Sequence, residues 1–375
     1  MKKTVGHIDW IIFIPVAALM LFSLVFVYSA SAPISAEKFQ SVDKLFWEHL
    51  IRVLIGLVVI VIFSKIDYRI YKKLAKPIML TGIAMLVSVL IFGDVRKGAQ
   101  RWISLGPISM QPVEFAKFAM IIYFSALLTK KQEVIKSFED GFLPFLIWTA
   151  LICVLIALQP NFSNMALIFL LAIVMMFIGN TNLLYLLATI GIGGAAAIVY
   201  AVSADYRMAR ILVYFGSSNS SSPNVADYQL QQALIALGNG GIFGLGPGQG
   251  LQNHLFLPES YGDFIFSIIG EEYGFIGLFM IFLAFAVICW RSMLIAKKAP
   301  DNFGYFLAIG IVSTLTLYLV VNAAVNTGLL PTTGVPLPFI SYGGTAIVIY
   351  SAVAGILLNI SAQANIYPQE EINSN

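Results

Sequence analysis

The 375-residue chain has little charge. Only 11% of its residues are Asp, Glu, Lys or Arg, and 59% are hydrophobic, whereas a soluble domain carries about 25% charged residues. Its net charge of +3 is too small to favour a nucleic-acid partner. The two cysteines, Cys153 and Cys289, lie in apolar runs, which argues against a disulfide framework.

Much of the chain consists of long apolar runs. About 20 apolar residues suffice to cross a bilayer, so the runs predict an all-α polytopic membrane protein. The N-terminal run is too long for a signal-peptide core and predicts a retained first helix. We predict one membrane domain over residues 1–362 and a short cytoplasmic tail over 363–375. Ten transmembrane helices are expected, at roughly 10–30, 48–64, 77–93, 114–129, 142–159, 164–179, 183–202, 264–290, 303–327 and 344–362.

The distribution of Lys and Arg predicts the orientation. With a cytoplasmic N-terminus, more than half of the 22 cations fall in cytoplasmic segments, as the positive-inside rule requires. An even number of spans then places both termini in the cytoplasm. The loops at 94–112 and 203–262 become extracytoplasmic.

The loop over 203–262 is longer than a simple connection needs. Two of its segments, Tyr206 to Phe215 and Tyr228 to Leu237, have apolar residues at helical spacing and predict amphipathic helices. Gly238 to Gly250 is rich in glycine but lacks the lysine of a phosphate-binding loop. We interpret it as a mobile or closely packed turn. Because no ATP-binding motif is present, energy must come from the substrate or a gradient.

Acidic residues are concentrated just after this turn. Glu259, Asp263, Glu271 and Glu272 fall within fourteen positions. Asp263 is expected at the outer mouth of a helix, where it could accept a proton or hold a cation; the alternative is a capping box with Ser260. Glu271 and Glu272 fall within the membrane, where charge is costly and usually functional. The alternative is pairing with a cation on a neighbouring helix, which we favour for Glu272 and leave open for Glu271.

Two further segments carry polar or helix-breaking residues. Arg96, Lys97 and Arg101 are cations on the predicted outer side, which an anionic lipid phosphate would explain. The alternative is headgroup contact together with a local Glu114–Lys117 ion pair. The stretch 326–344 is nearly free of charge but rich in Pro and Gly, so it is expected to line a cavity at membrane level.

Three motifs, taken together, resemble the SEDS family (shape, elongation, division and sporulation). They are GAQRWISLGPISMQPVEFAK, YQLQQALIALGNGGIFGLGPGQGLQNHLFLPESYGDFIFSIIGEEYG and GLLPTTGVPLPFISYGG. The resemblance covers nearly the whole chain, and the third motif is closer to the FtsW branch than to the RodA branch. Two departures concern Val113, where the family reads QPSE, and Tyr261-Gly262, where it reads HTDFIF.

The resemblance implies a ten-helix SEDS fold in the bacterial cytoplasmic membrane, with an extracytoplasmic active site. It implies a peptidoglycan glycosyltransferase that polymerises lipid II, with a class B penicillin-binding protein and other division or elongation proteins as partners. Whether the role is septal or in elongation stays open. The family's invariant loop Asp corresponds to Asp263, which would act as general base. A divalent cation, Mg²⁺ or Mn²⁺, would assist the leaving pyrophosphate, with Asp263 as a candidate ligand.

The remaining site predictions fall into two sets. The substrate-binding set is Arg101, Glu114, Lys117, Arg207, Arg210 and Ser341. The structural or gating set is Glu271, Glu272, Pro336, Pro338 and Gly343.

Two other functions fit the same sequence. A lipid II flippase or transporter would use Glu271, Glu272 and Lys117 as a gated polar path. A non-catalytic scaffold of the division machinery would need none of them. Polymerisation of purified lipid II by the purified chain would separate the three.

Overall fold

The computed structural model describes residues 7–96, 99–105, 108–203, 208, 225–252 and 256–364. Arg207 and Arg210, which were predicted to bind substrate, lie outside the described residues. So does all but one residue of the predicted helix over Tyr206 to Phe215, and most of the predicted tail.

Helices form the body of the described chain. They are α1 (Trp10–Phe39), α2 (Lys44–Lys65), α3 (Arg69–Phe92), α4 (Pro112–Lys130), α5 (Leu143–Ala157), α6 (Phe162–Ile178), α7 (Leu183–Val202), α8 (Val225–Gly240), α9 (Ile265–Lys297), α10 (Asn302–Asn326) and α11 (Ala346–Gln363). A single π-helical turn, Phe138–Phe142, leads into α5. Within the described ranges, nine helical segments are long and apolar enough to cross a membrane, and α6 is a shorter apolar helix. The prediction of an all-α protein with about ten membrane helices is confirmed.

Besides α3, which begins at Arg69 rather than near residue 77, two helices run further than predicted. The first, α1, spans 30 residues and continues through Pro33 until Gln40 adopts a left-handed conformation, with φ of 55°. The second, α9, is two helical pieces joined at Gly274, whose φ of 66° lies outside the helical region. Hydropathy alone did not reveal these extensions because they contain polar and charged residues, such as Lys38 in α1 and Lys297 in α9.

A small antiparallel sheet, which the sequence analysis did not predict, follows α3. Its strands are β1 (Asp94–Arg96), β2 (Ala99–Leu105) and β3 (Ile108–Met110), in the order β1-β2-β3. Asp94 faces Trp102, and Ser104 faces Ser109. The aromatic and β-branched residues of AQRWISL suit a strand, but seven residues are too few to stand out in a chain dominated by helical runs.

The helices differ sharply in how much of their surface the protein covers. In the most apolar 18-residue window, 72% of α4 is buried but only 11% of α7. Helices α10 and α11 are also mostly buried and share the central core with α4. The exposed apolar side chains of α7 and α2 are those expected of surfaces that face lipid tails.

The loops gather at the two ends of the bundle. Helix α9 begins and α10 ends at the end that carries Asp263, which we call the Asp263 end. At the opposite end, a buried ion pair joins Asp9 Oδ2 to Arg291 Nε at 2.6 Å. Asp301 caps α10 there, since its side chain accepts a hydrogen bond from Gly304 N–H. The peptide N–H of Tyr68, in the turn before α3, donates to Asn359 Oδ1 of α11 at 2.9 Å.

The predicted helix over Tyr228 to Leu237 is confirmed within α8. Helix α8 packs along α9, and Leu237 lies against Gly270, where a Cβ would collide with it. The glycine-rich stretch that follows α8 therefore begins next to the first turns of α9.

Candidate functional site

Asp263 lies in the turn that immediately precedes α9, and it is half-buried. A proline- and glycine-rich segment, 327–345, passes beside it. A Cβ placed on Gly334 of this segment would stand 3.3 Å from Asp263 Oδ2. A glycine at this position therefore lets the backbone approach the carboxylate closely.

The Asp263 turn is held through its backbone carbonyl oxygens. Asn322 Nδ2 donates to the Asp263 carbonyl at 2.8 Å. Ser341 Oγ donates to the Gly262 carbonyl at 2.8 Å, and Tyr342 N–H donates to the Tyr261 carbonyl at 2.9 Å. Three successive carbonyls are thus fixed by donors from α10 and from the 327–345 segment.

The hydroxyl of Ser341, a buried residue, both donates and accepts a hydrogen bond. Besides donating to Gly262, it accepts a hydrogen bond from Leu337 N–H at 2.7 Å. Its contacts thus join the 327–345 segment to the Asp263 turn, whereas the sequence analysis placed it against substrate.

The capping-box alternative for Asp263 is wrong. Ser260 donates its hydroxyl hydrogen across the bundle to the carbonyl of Ala30 in α1, at 2.9 Å. Helix α9 begins at Ile265 after Phe264, and no side chain caps it. Ser260 thus ties the turn to α1, and the Asp263 carboxylate is not the cap of this helix.

The carboxylates of Glu271 and Glu272 hold the chain that precedes Asp263. Glu271 accepts hydrogen bonds from Leu251 N–H and Gln252 N–H, both at 3.1 Å. Glu272 accepts from Ser29 Oγ of α1 and from the Gly248 backbone. Both carboxylates thus bind backbone amides or a hydroxyl. The pairing with a cation on a neighbouring helix, considered as an alternative for each glutamate, stays a prediction.

The glycine-rich stretch pairs with α9 where that helix is interrupted. Leu245 N–H donates to the Glu271 carbonyl, and Phe275 N–H donates to the Gly241 carbonyl. A Cβ on Gly244, whose φ is 81°, would collide with the Glu272 carbonyl. Of the two interpretations, mobile or closely packed turn, the structure matches the second.

Glu114 and Lys117 form a buried ion pair near the start of α4. Lys117 Nζ lies 2.7 Å from Glu114 Oε2, and the two side chains are 1% and 2% exposed. The ammonium also lies 3.6 Å from the centre of the Tyr318 ring, a distance at which a desolvated cation is attracted to the ring face. The pair is enclosed by protein, so substrate does not reach it in this conformation.

A polar group on α2, which the sequence analysis missed, flanks the Asp263 end. Tyr342 OH donates to Glu48 Oε2 at 2.6 Å, and Arg52 Nη2 lies 3.2 Å from the same oxygen. The Arg52 guanidinium stacks on the Tyr342 ring at 4.6 Å. The i,i+4 spacing of Glu48 and Arg52 could have predicted the ion pair, but nothing in the sequence tied it to Tyr342.

The two tyrosines beside Asp263 are held in their protonated form. Burial, together with Glu259, Tyr342 and Asp263, raises the pKa of Tyr261 to about 12. Burial and the hydrogen bond to Glu48 raise the pKa of Tyr342 to about 12. The rings meet edge to face at 5.3 Å, so Tyr261, one of the departures from the family pattern, is packed against Tyr342.

Comparison with known proteins identifies the family. Residues 9–366 match the model of the cell cycle protein family that comprises FtsW, RodA and SpoVE. The chain belongs to the SEDS family. A probable peptidoglycan glycosyltransferase FtsW of Trichlorobacter lovleyi is 39% identical over 363 residues, covering 96% of this chain and 94% of that protein. Stage V sporulation protein E of Bacillus subtilis is 38% identical over 359 residues, covering 94% and 96%.

Solved structures share the fold of this SEDS protein. One, described as "Structural coordination of polymerization and crosslinking by a peptidoglycan synthase complex", aligns with a TM-score of 0.76 at 23% identity, over 95% of this chain and 98% of that chain. RodA of Thermus thermophilus aligns with a TM-score of 0.70 at 23% identity, with the same coverages. The SEDS fold is therefore confirmed, and the relatives named FtsW confirm the predicted closeness to that branch.

The remaining predicted residues of this SEDS protein lie in varied settings. Arg101, on β2, donates to the carbonyls of Gln159 and Pro160 between α5 and α6. Val113, the other departure from the family pattern, is 1% exposed in the first turn of α4. Pro336, Pro338 and Gly343 belong to the irregular segment that carries Ser341 and Tyr342.

Among the described residues, no group of three or more His, Cys, Asp or Glu side chains could hold a metal ion. Asp263 is therefore not part of such a group within the described ranges.

Proposed function

We propose that this SEDS protein is a peptidoglycan glycosyltransferase that polymerises lipid II on the outer face of the bacterial cytoplasmic membrane. Curated relatives over nearly the whole chain carry that activity in their names. A chain without an ATP-binding motif fits a substrate that is already activated as a pyrophosphate. The charge distribution supports this orientation, since Lys72, Lys73, Lys130 and Lys131 all lie at or near the end opposite Asp263.

Asp263 is the proposed general base. Its carboxylate takes the proton from the 4-hydroxyl of the acceptor sugar as that oxygen forms a bond to C1 of the donor sugar. The bond between C1 and the pyrophosphate oxygen breaks, the configuration at C1 inverts, and undecaprenyl pyrophosphate leaves with the bonding electron pair. General base catalysis contributes about 10²–10⁴-fold to the rate.

One observation carries this assignment. Asp263 is a half-buried carboxylate on a turn whose three successive carbonyls are fixed by other elements. A base must be held where the reacting hydroxyl will stand, because small displacements cost much of the rate. The carboxylate is placed beside an irregular segment, which is tolerated at membrane level where backbone lines a cavity or is enclosed by protein.

Cations are expected to stabilise the leaving pyrophosphate. Arg101 stays a prediction for this role, with its guanidinium beside two carbonyls at the Asp263 end. Arg207 and Arg210 stay predictions on sequence grounds. For Glu114 and Lys117 we propose a structural role, because their ion pair is enclosed.

The proposed partner is a class B penicillin-binding protein, which would cross-link the new strands. The support is a structural neighbour whose description names a complex for polymerisation and crosslinking. Whether the complex serves division or elongation follows from which partner it binds. Co-purification with the septal and the elongation transpeptidase of the same organism would separate the two.

The deciding experiment is polymerisation of fluorescent lipid II by the purified chain, alone and with its partner. We expect glycan strands from the wild-type protein and none from Asp263→Ala. Translocation of lipid II across vesicles without polymerisation would instead support a flippase. The contacts of Glu271, Glu272 and Lys117 argue against that alternative, since all three side chains are buried in bonds to the protein itself.

A further inference from the structure

The side-chain amide of Asn326, in α10, is inserted into the hydrogen-bonding pattern of the first turn of α9. In a regular helix the N–H of residue 267 would donate to the carbonyl of residue 263. Here Ser267 N–H and Ser267 Oγ donate to Asn326 Oδ1, at 3.3 and 2.7 Å. Asn326 Nδ2 in turn donates to the Asp263 carbonyl at 3.2 Å. The side chain of Asn326 thus stands between the two groups that would otherwise bond to each other.

The inserted amide explains where α9 begins. Ser267 N–H also reaches the Phe264 carbonyl at 3.1 Å, one residue short of the regular partner. The helix accordingly begins at Ile265, and Asp263 stays in the turn before it. Without the amide, a bond from Ser267 N–H to the Asp263 carbonyl would make Asp263 the N-cap residue. The carboxylate of an N-cap residue accepts hydrogen bonds from the N–H groups of the first turn.

We propose that Asn326 and Asn322 are positioning residues that keep Asp263 out of the helix cap, so that its carboxylate serves the reaction. The inference rests on the proposed role of Asp263 as general base. Both residues act on the Asp263 backbone, and neither is proposed to touch the substrate.

An amide side chain suits the Asn326 position. It must accept two hydrogen bonds from Ser267 and donate to Asp263, and a carboxamide offers both an acceptor oxygen and two N–H donors. Asn322 uses its amide differently: Nδ2 donates to the carbonyls of Asp263 and Val335, both at 2.8 Å. It thereby fixes the Asp263 turn to the segment that carries Gly334.

Burial makes this arrangement rigid. Asn322, Asn326 and Ser267 are at most 1% exposed, so water cannot replace a lost partner. Asn326 Nδ2 also donates to the Asn322 carbonyl at 2.9 Å, one turn back in α10. The two asparagines are therefore set by the same helix, four residues apart, and face the start of α9 together.

The test compares lipid II polymerisation by two variants, Asn326→Leu and the isosteric Asn326→Asp, with that by the wild-type chain. Four quantities are measured for each: kcat, KM, the pH profile of kcat and the thermal unfolding midpoint. The aspartate variant keeps the acceptor but loses the donor to Asp263. We expect kcat to fall about 10–100-fold in both, with KM changed by less than about threefold. In Asn326→Leu, the acid limb of the kcat profile should move to lower pH, because capping hydrogen bonds favour the ionised carboxylate.

Asn359→Leu is the matched control. Asn359 is a buried amide at the opposite end that also bridges backbone groups, from Tyr68 N–H to the Ser64 carbonyl. We expect it to lower the unfolding midpoint and leave kcat and its pH profile unchanged. Asn326→Gln, which retains donor and acceptor, should keep more activity than Asn326→Leu.

Two outcomes would overturn the positioning role. One is an unchanged kcat and acid limb in folded Asn326→Asp and Asn326→Leu. The other is an equal loss of kcat in Asn359→Leu, which would mark a general effect of destabilisation. Asp263→Ala is run in parallel: if it retains polymerisation, the general-base assignment fails, whereas a dead Asp263→Ala with fully active Asn326 variants refutes only the positioning role.

Discussion

Asp263 and Asp301 stand before consecutive helices, α9 and α10, at opposite ends of the bundle. Asp301 is held through its side chain, which accepts hydrogen bonds from Gly304 N–H and Tyr68 OH, both at 2.8 Å, and from Arg69 Nε at 3.2 Å. Asp263 is held through its backbone carbonyl, which accepts from Asn322 and Asn326. The same residue type is thus fixed in two different ways.

The difference matters for basicity. Burial raises the pKa of Asp301, but the hydrogen bonds from Gly304, Tyr68 and Arg69 outweigh it and hold the pKa below its usual value. A carboxylate stabilised in this way is a poor proton acceptor. Asn322 and Asn326 instead donate to the carbonyl of Asp263, so they fix that residue through its backbone. The positioning of Asp263 by these two asparagines thus does not depend on hydrogen bonds to its carboxylate.

The largest expected effect is on activity, when the two aspartates are exchanged for neutral residues. Asp263→Asn and Asp263→Ala should lower lipid II polymerisation by at least about 10²-fold, with an unchanged unfolding midpoint. Asp301→Ala should instead lower the unfolding midpoint and leave polymerisation unchanged, since a lost helix cap typically costs about 0.5–2 kcal/mol of stability. Glycan gel assays and thermal melts of both variants measure the contrast. Retained polymerisation in Asp263→Asn would contradict the role of Asp263 as general base.

A third carboxylate, Glu114, extends the comparison to a buried ion pair. Breaking a buried ion pair by removing one partner costs about 3–5 kcal/mol, because a charge is left uncompensated. Glu114→Ala and Lys117→Ala should each be strongly destabilising, and the double variant should cost less than their sum. Unfolding of the three variants in detergent measures the coupling. Additive losses would show that the 2.7 Å contact does not stabilise the protein.

A smaller effect is expected from Gly334→Ala, which tests whether the close approach of the 327–345 segment to the Asp263 carboxylate matters for activity. The new Cβ would lie 3.3 Å from Asp263 Oδ2, closer than ordinary van der Waals contact. We expect a several-fold loss of kcat and little change in the unfolding midpoint. Gly238→Ala is the control, because a Cβ there meets nothing within 4 Å; it should be as active as the wild type. Equal activity of the two variants would show that the turn adjusts freely.

The smallest effect concerns the pH dependence of stability at the Asp301 side. Because the pKa of Asp301 is lower in the folded protein than in the unfolded chain, its ionised form stabilises the fold at pH above the unfolded value. That stabilisation is lost as the pH falls through the folded pKa. The gap in unfolding midpoint between wild type and Asp301→Ala should therefore shrink in acid. A gap that widens in acid would contradict the assignment.

The sequence was sufficient for the membrane helices, for the segment that carries Asp263 and for the proline- and glycine-rich segment beside it. Hydropathy located the ten apolar runs because each is long, and the SEDS motifs lie in the segments that pack together. It was not sufficient for partners that lie far apart in the chain. The Glu48–Tyr342 hydrogen bond spans 294 positions, and no local pattern signals it. Nor does the sequence distinguish a serine that caps from one that reaches another helix, as Ser260 does.

The contacts of α1 have a consequence for biosynthesis. Ser260 bonds to Ala30 across 230 positions, and Ser29 bonds to Glu272 across 243. During synthesis α1 is made first, yet its partners emerge only after two-thirds of the chain. The lengthy loop closures slow such pairings, so α1 must remain available in the bilayer until α9 arrives. The Asp263 turn is therefore completed late, after α10 and the 327–345 segment have also been made, and an incompletely synthesised chain lacks a formed site.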